Sequence, residues 1–193
     1  MVPVAKCGIM VRIEFVSFVM PMSSCSRLSL AAVLILLGAT SALAADEPSG
    51  CDKFKWDITH ERAALTAPDR PKLTSGTEFA ALPTSGFTLG LAAMSDAKLP
   101  AAPERASKDG TFAGFANVTG APKAGLYTIS LSAGAWVDVV QDGQALKPLG
   151  FSGATDCDGI RKTMKYELAA KPFVLEISGA KEHAISVAIL PAE

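Results

Sequence analysis

The sequence predicts an all-β domain, an antiparallel β-sandwich of jelly-roll-like form with one short N-terminal helix, and three observations carry that reading. After Pro71 come eight short segments in which apolar residues alternate with polar ones or run continuously. Each is bounded by Gly, Pro, Ser or Asp, the residues that make turns. Only one stretch has helical spacing, and it is brief. An up-and-down barrel fits the same pattern and stands as the alternative architecture.

Ahead of the domain, residues 28–44 read LSLAAVLILLGATSALA behind a single positive charge, Arg27, and end in Ala42-Leu43-Ala44. That is the charged, apolar, small-residue order of a secretory signal. Its unbroken apolar core, residues 30–37, is far shorter than the roughly 20 residues a membrane-spanning helix needs. We therefore expect residues 1–44 to be removed on export and residues 45–193 to form a single domain in the periplasm or outside the cell, with an uncleaved anchor as the alternative. Residues 1–19 read as an upstream over-extension of the start, since Met22 opens an ordinary signal by itself. Cys51 does not follow the apolar core directly, so no lipid anchor is expected, and no stable membrane anchor is left after signal removal.

Without residues 1–44 the chain keeps 149 residues with 15 basic and 18 acidic side chains, a net charge near −3. That length suits one core. The charge is too weak to attract a polyanion, which excludes nucleic acid as the expected partner.

The helix falls in CDKFKWDITHERAALTAPDRP. Asp57 or Thr59 caps it, Ile58 and Leu65 lie one helical repeat apart, and Pro68 and Pro71 stop it. A helix of two or three turns is not stable alone, so Phe54 and Trp56 are its expected anchors. The expected strands are 77–82, 86–91, 111–118, 125–132, 135–141, 164–168, 173–178 and 184–190. In GLYTISLS, Tyr127, Ile129 and Leu131 alternate with Leu126, Thr128, Ser130 and Ser132, which predicts one buried face and one wet face. Asp142-Gly143 supplies positive φ for a tight turn after AWVDVV. Residues 94–109 form the longest unpatterned stretch, either a binding loop or a solvated crossover.

Two cysteines, Cys51 and Cys157, belong to the exported part, and an oxidising destination predicts a disulfide between them. The competing reading makes them a free nucleophile and a metal ligand, although no Cys-x-x-Cys spacing is present. The only histidines are His60, on the helix, and His183, in the turn before the last strand. With Glu61 or Glu182 they are the sole candidates for a metal site, and no His-Glu-x-x-His or Cys-His cluster accompanies them. Gly-x-Ser-x-Gly is absent, and Ser85-Gly86, Ser152-Gly153 and Ser178-Gly179 read as turns at strand ends. Trp136 beside Asp138 resembles half of a sugar-binding or glycosidase site, an aromatic platform with one carboxylate; the plainer reading is packing. Arg161, Lys162 and Lys165 beside Asp156 and Asp158 read as a mixed solvated face. Asn117-Val118-Thr119 matches a glycosylation sequon.

The runs Cys51-Asp-Lys-Phe-Lys-Trp56, Glu61-Arg62, AWVDVVQDG at 135–143, Cys157-Asp-Gly-Ile-Arg161-Lys162 and FVLEISGA resemble a group of small exported alpha-proteobacterial proteins of uncharacterised function. The resemblance covers nearly all of residues 45–193. Some members carry the label homogentisate 1,2-dioxygenase, an activity that uses iron held by two histidines and a glutamate. The resemblance implies export and a sandwich, and supplies no catalytic residue. The expectation is a binding protein for a small ligand or an envelope partner, without a cofactor. An iron-dependent dioxygenase using His60, His183 and a carboxylate, or a structural envelope protein, are the alternatives.

Overall fold

After a single 3-10 turn at Cys51–Lys53, Asp57 leads the chain into its helix, whose N-cap is Ile58 with no side-chain cap bond rather than the expected Asp57 or Thr59. Asp57 Oδ1 accepts hydrogen bonds from the Thr59 backbone N–H at 2.9 Å and from the Thr59 hydroxyl at 2.6 Å. The helix that follows, α1, spans Thr59–Thr66. The computed structural model describes residues 47–192, all within one compact unit, Ala44–Glu193. The expected signal, residues 1–44 with the over-extension 1–19, lies outside the described residues.

Twelve strands follow: β1 (Lys72–Leu73), β2 (Thr77–Phe79), β3 (Phe87–Gly90), β4 (Ala92–Ala93), β5 (Phe112–Val118), β6 (Gly125–Leu131), β7 (Trp136–Gln141), β8 (Gln144–Ala145), β9 (Gly150–Gly153), β10 (Lys162–Leu168), β11 (Phe173–Ala180) and β12 (Ala184–Pro191). Every expected segment contains a strand. The additional ones, β1, β4, β8 and β9, have two to four residues each, too few to show a period.

The strands form two six-stranded sheets. One runs β1-β3-β12-β6-β10-β9; the other runs β2-β5-β11-β7-β8, with β4 also paired to β5. Pairing is antiparallel except at two edges, where β1 joins β3 and β2 joins β5 in parallel. Asp142 and Gly143, at φ 52 and 75, make the two-residue turn between Gln141 and Gln144; positive φ at both positions matches the twist of the flanking strands. At most other connections the chain leaves one sheet for the other, as from β5 to β6, β6 to β7 and β11 to β12.

The inner faces bury Phe87, Ile129, Leu131, Val139, Leu175 and Ile177 in a common core. Tyr166 is buried there too, and its hydroxyl donates to the Val137 carbonyl at 3.3 Å. Burial, reinforced by the charges of Asp138 and Glu104, pushes that phenol well above its usual range.

The wet face expected for β6 is a correction. Thr128 and Ser130 are buried, because α1 and the segment before it lie against the outer face of their sheet. Ile58, Leu65, Cys157, Ile160 and Ala188 form a second apolar cluster there, with Phe54 and Trp56 packed on it. The polar groups underneath are satisfied locally: Thr128 donates to Glu61 Oε1 at 2.7 Å, and Ser130 donates to the Thr163 hydroxyl at 2.8 Å. Alternation of polar and apolar residues does not separate a wet face from a covered one, because small hydroxyls pair within a covered face as readily as they face solvent.

The Cys51–Cys157 disulfide fastens this layer, joining residues 106 apart in sequence. Around it Gly50 N–H donates to the Thr155 carbonyl at 2.8 Å, and Thr155 N–H to the Pro48 carbonyl at 2.8 Å. Arg62 Nε reaches the Asp158 carbonyl at 2.7 Å.

Candidate functional site

The site is built on the outer face of the second sheet. Val137 and Val139 point into the core, so Trp136, Asp138 and Val140 point outward from β7. Register pairs them with Ser178, Glu176 and Val174 of β11. Four of these six residues are polar or aromatic, and Asp138, Glu176 and Ser178 are nevertheless buried.

Residues 94–110 cover them. The outer side of this stretch is largely exposed, but it joins two strands of the same sheet rather than crossing between sheets, and it is a strap pinned to that sheet through two carboxylates. Ala101 N–H donates to Glu176 Oε1 at 2.7 Å, and Glu104 N–H donates to Asp138 Oδ2 at 3.3 Å. The other Asp138 oxygen accepts from the Trp136 indole N–H at 2.8 Å, which fixes the ring. Lys147 pairs with Glu104 at the surface.

Glu176 is the residue that sequence reading missed. Asp138 does have a second carboxylate as its neighbour, directly across the strand pair, and the signal was a lone Glu inside the apolar run FVLEIS. The pair is not an open glycosidase arrangement, in which two carboxyl groups flank space for a sugar and a water. The strap fills that space, and both Asp138 oxygens are engaged.

At one end of the strap lies a cleft of about 640 Å³. Arg105 sits 5.6 Å from the centre of the Trp136 ring, and Lys162 also 5.6 Å from it. Lys162 lies 5.3 Å from the Phe151 ring as well and donates to the Ala135 carbonyl at 2.8 Å. Lys108 and Lys181 add two more cations to the wall; the one carboxylate there is Glu47, which Arg161 already holds in an ion pair. Ser107 and Ser178 each present a buried hydroxyl oxygen with no hydrogen-bond partner. Burial, together with the nearby charges of Arg105 and Arg161, holds the Lys162 ammonium below the usual lysine range, against an opposing pull from Asp138.

The basic triple therefore divides, a correction to the mixed solvated face. Lys162 continues the inward-facing row of Met164 and Tyr166 on β10 and enters the cleft. Lys165, on the opposite face, lies 4.9 Å from the Trp56 ring. Two of the Ser-Gly pairs stand at strand ends as expected but belong to the strands rather than to turns: Ser152-Gly153 closes β9 and Ser178-Gly179 stops one residue short of the end of β11. Gly179 has φ 69 and sits where the register between β11 and β5 shifts, a bulge that needs a residue without a Cβ.

Of the other sequence candidates, Trp136 lines the cleft while Asp138 lies beneath the strap and orients it. His60 lines a separate groove of about 330 Å³ with Trp56, Glu61 and Lys165. Glu61 is buried and engaged by Thr128. His183 packs edge-on against Phe112, ring centres 5.2 Å apart, in the turn between β11 and β12. Among the described residues no three His, Cys, Asp or Glu side chains are placed to share a metal ion. No helix among the described residues is long and apolar enough to cross a membrane. No protein-family model, curated protein or solved structure matches this chain.

Proposed function

We propose that the protein is exported to the periplasm and acts there, without catalysis, as a binding protein for a small organic anion held in the cleft beside Arg105 and Lys162. The observation that carries this reading is the charge of that cleft: Arg105, Lys108, Lys162 and Lys181 line it against one carboxylate that is already paired. A cation disfavoured by burial and by like charge gains most from an anion brought alongside, and low local polarity strengthens the attraction. The unpartnered hydroxyls of Ser107 and Ser178 offer hydrogen bonds to the same ligand. Rings already stacked by cations give the cleft rigid walls rather than a free stacking platform. Export rests on the signal-like segment, and the disulfide fits an oxidising compartment.

Calorimetric titration with phosphate, citrate and homogentisate, and with glucose as a neutral control, tests the proposal. Anions bind and glucose does not; affinity falls as salt rises, and Lys162→Met weakens it roughly tenfold. Equal binding of glucose, or no anion binding at low salt, overturns the reading and favours a structural envelope protein. Stoichiometric iron, with oxygen uptake on homogentisate that His60→Ala and His183→Ala each abolish, replaces it with a dioxygenase.

A further inference from the structure

The other end of the strap borders a second cavity, of about 460 Å³, a size that accommodates a small molecule. Val140 and Val174, which point outward, contribute apolar walls beside Pro100 of the strap and Pro172, while Val118 and Phe173, which also border the cavity, are buried in the core. Its ionisable groups are all carboxylates: buried Glu176, with exposed Glu78 and Asp142; no Lys, Arg or His among the described residues lines it. Asp142 is already paired with Lys171 at the surface.

Glu176 is different. It is 1% exposed, and while its Oε1 accepts the Ala101 N–H, its Oε2 has no partner at all. A buried carboxylate oxygen lacking a donor is costly, and a chain that keeps one presents an acceptor for something outside itself. The donor that fits is an N–H on a positive centre, because the rim adds negative charge and the walls demand hydrocarbon.

We infer that this cavity binds a small organic monocation, a primary or secondary ammonium on an apolar body, whose N–H donates to Glu176 Oε2 while the hydrocarbon packs against Val140, Val174 and the two prolines. The inference is independent of the anion cleft, which lies at the opposite end of the strap and has the opposite charge. The strap joins the two sites, since its Ala101 amide holds one Glu176 oxygen and leaves the other to the ligand.

The test is titration of the purified protein at neutral pH with 2-phenylethylammonium, followed by calorimetry and by amide NMR shifts, alongside the neutral analogue 2-phenylethanol. The ammonium binds saturably, the alcohol binds at least roughly tenfold more weakly, and Glu176→Gln removes the preference. The Ala101 and Val174 amides shift on the wild-type protein, which locates the ligand even if the variant folds poorly. Equal affinity for amine and alcohol, undiminished binding to Glu176→Gln, shifts confined to other parts of the molecule, or no binding up to about 10 mM ligand each overturn the assignment.

Discussion

Glu176 and Asp138 face each other across β11 and β7, each giving one oxygen to a strap amide. Burial raises the Glu176 carboxyl above the ordinary glutamate range; the Ala101 N–H acts against that rise, and the charge of Asp138 adds to it. A carboxyl whose folded pKa is raised favours the fold while protonated, and that contribution is lost as pH rises from the unfolded value, about 4.3, through the folded one. Gln mimics the neutral acid and can still accept from Ala101. The melting temperature of Glu176→Gln should therefore match wild type near pH 4 and exceed it by a margin that widens toward pH 7. A constant or inverted difference in melts across that range refutes the argument. Sequence alone pointed to Trp136 and Asp138 because they lie two residues apart on one strand. The lone Glu176 in FVLEIS marked an anomaly, but nothing placed it beside Asp138, 38 positions earlier, because strand register does that and register is a tertiary property.

At the scale of elements, α1 is stable only through what it touches, as an eight-residue helix must be. The disulfide, Arg62 and the Asp57 turn hold it against the first sheet, and Gly159 permits the close approach: at φ 84 it has a backbone that other residues rarely adopt, and an added Cβ would collide with Thr66 Cγ2. A cross-link spanning 106 residues removes much of the freedom of the unfolded chain. Cys157→Ser should cost about 2–5 kcal/mol of stability, read as a lower urea midpoint that reducing agent produces in wild type and not in the variant. The helix and the cysteine pair were legible because helical spacing, proline stops and an even cysteine count are local or arithmetic signals, although the N-cap is Ile58 and not the expected Asp57 or Thr59. The burial of Thr128 and Ser130 beneath the helix was not, since a hydroxyl facing solvent and one facing Glu61 look alike in sequence.

For the whole molecule, the expected strands and the tight turn at Asp142-Gly143 were readable from alternation and punctuation. Which sheet each strand joins was not, because a crossover and a hairpin use the same turn residues. The boundary at Ala44 carries its own expectation: protein recovered from the periplasm should begin at Ala45 by intact mass, and retention of residues 30–37 would refute the cleaved, unanchored form. The route of the chain between sheets has a further consequence. Since β5, β6 and β7 alternate sheets and β12 returns between β3 and β6, neither sheet can be assembled from one continuous stretch. Contacts must close over long sequence distances before they reward the chain, so contact order is high and folding belongs on the slow, millisecond-to-second scale of such topologies. No half of residues 47–192 is a folding unit, and the chain must be nearly complete before either sheet can form.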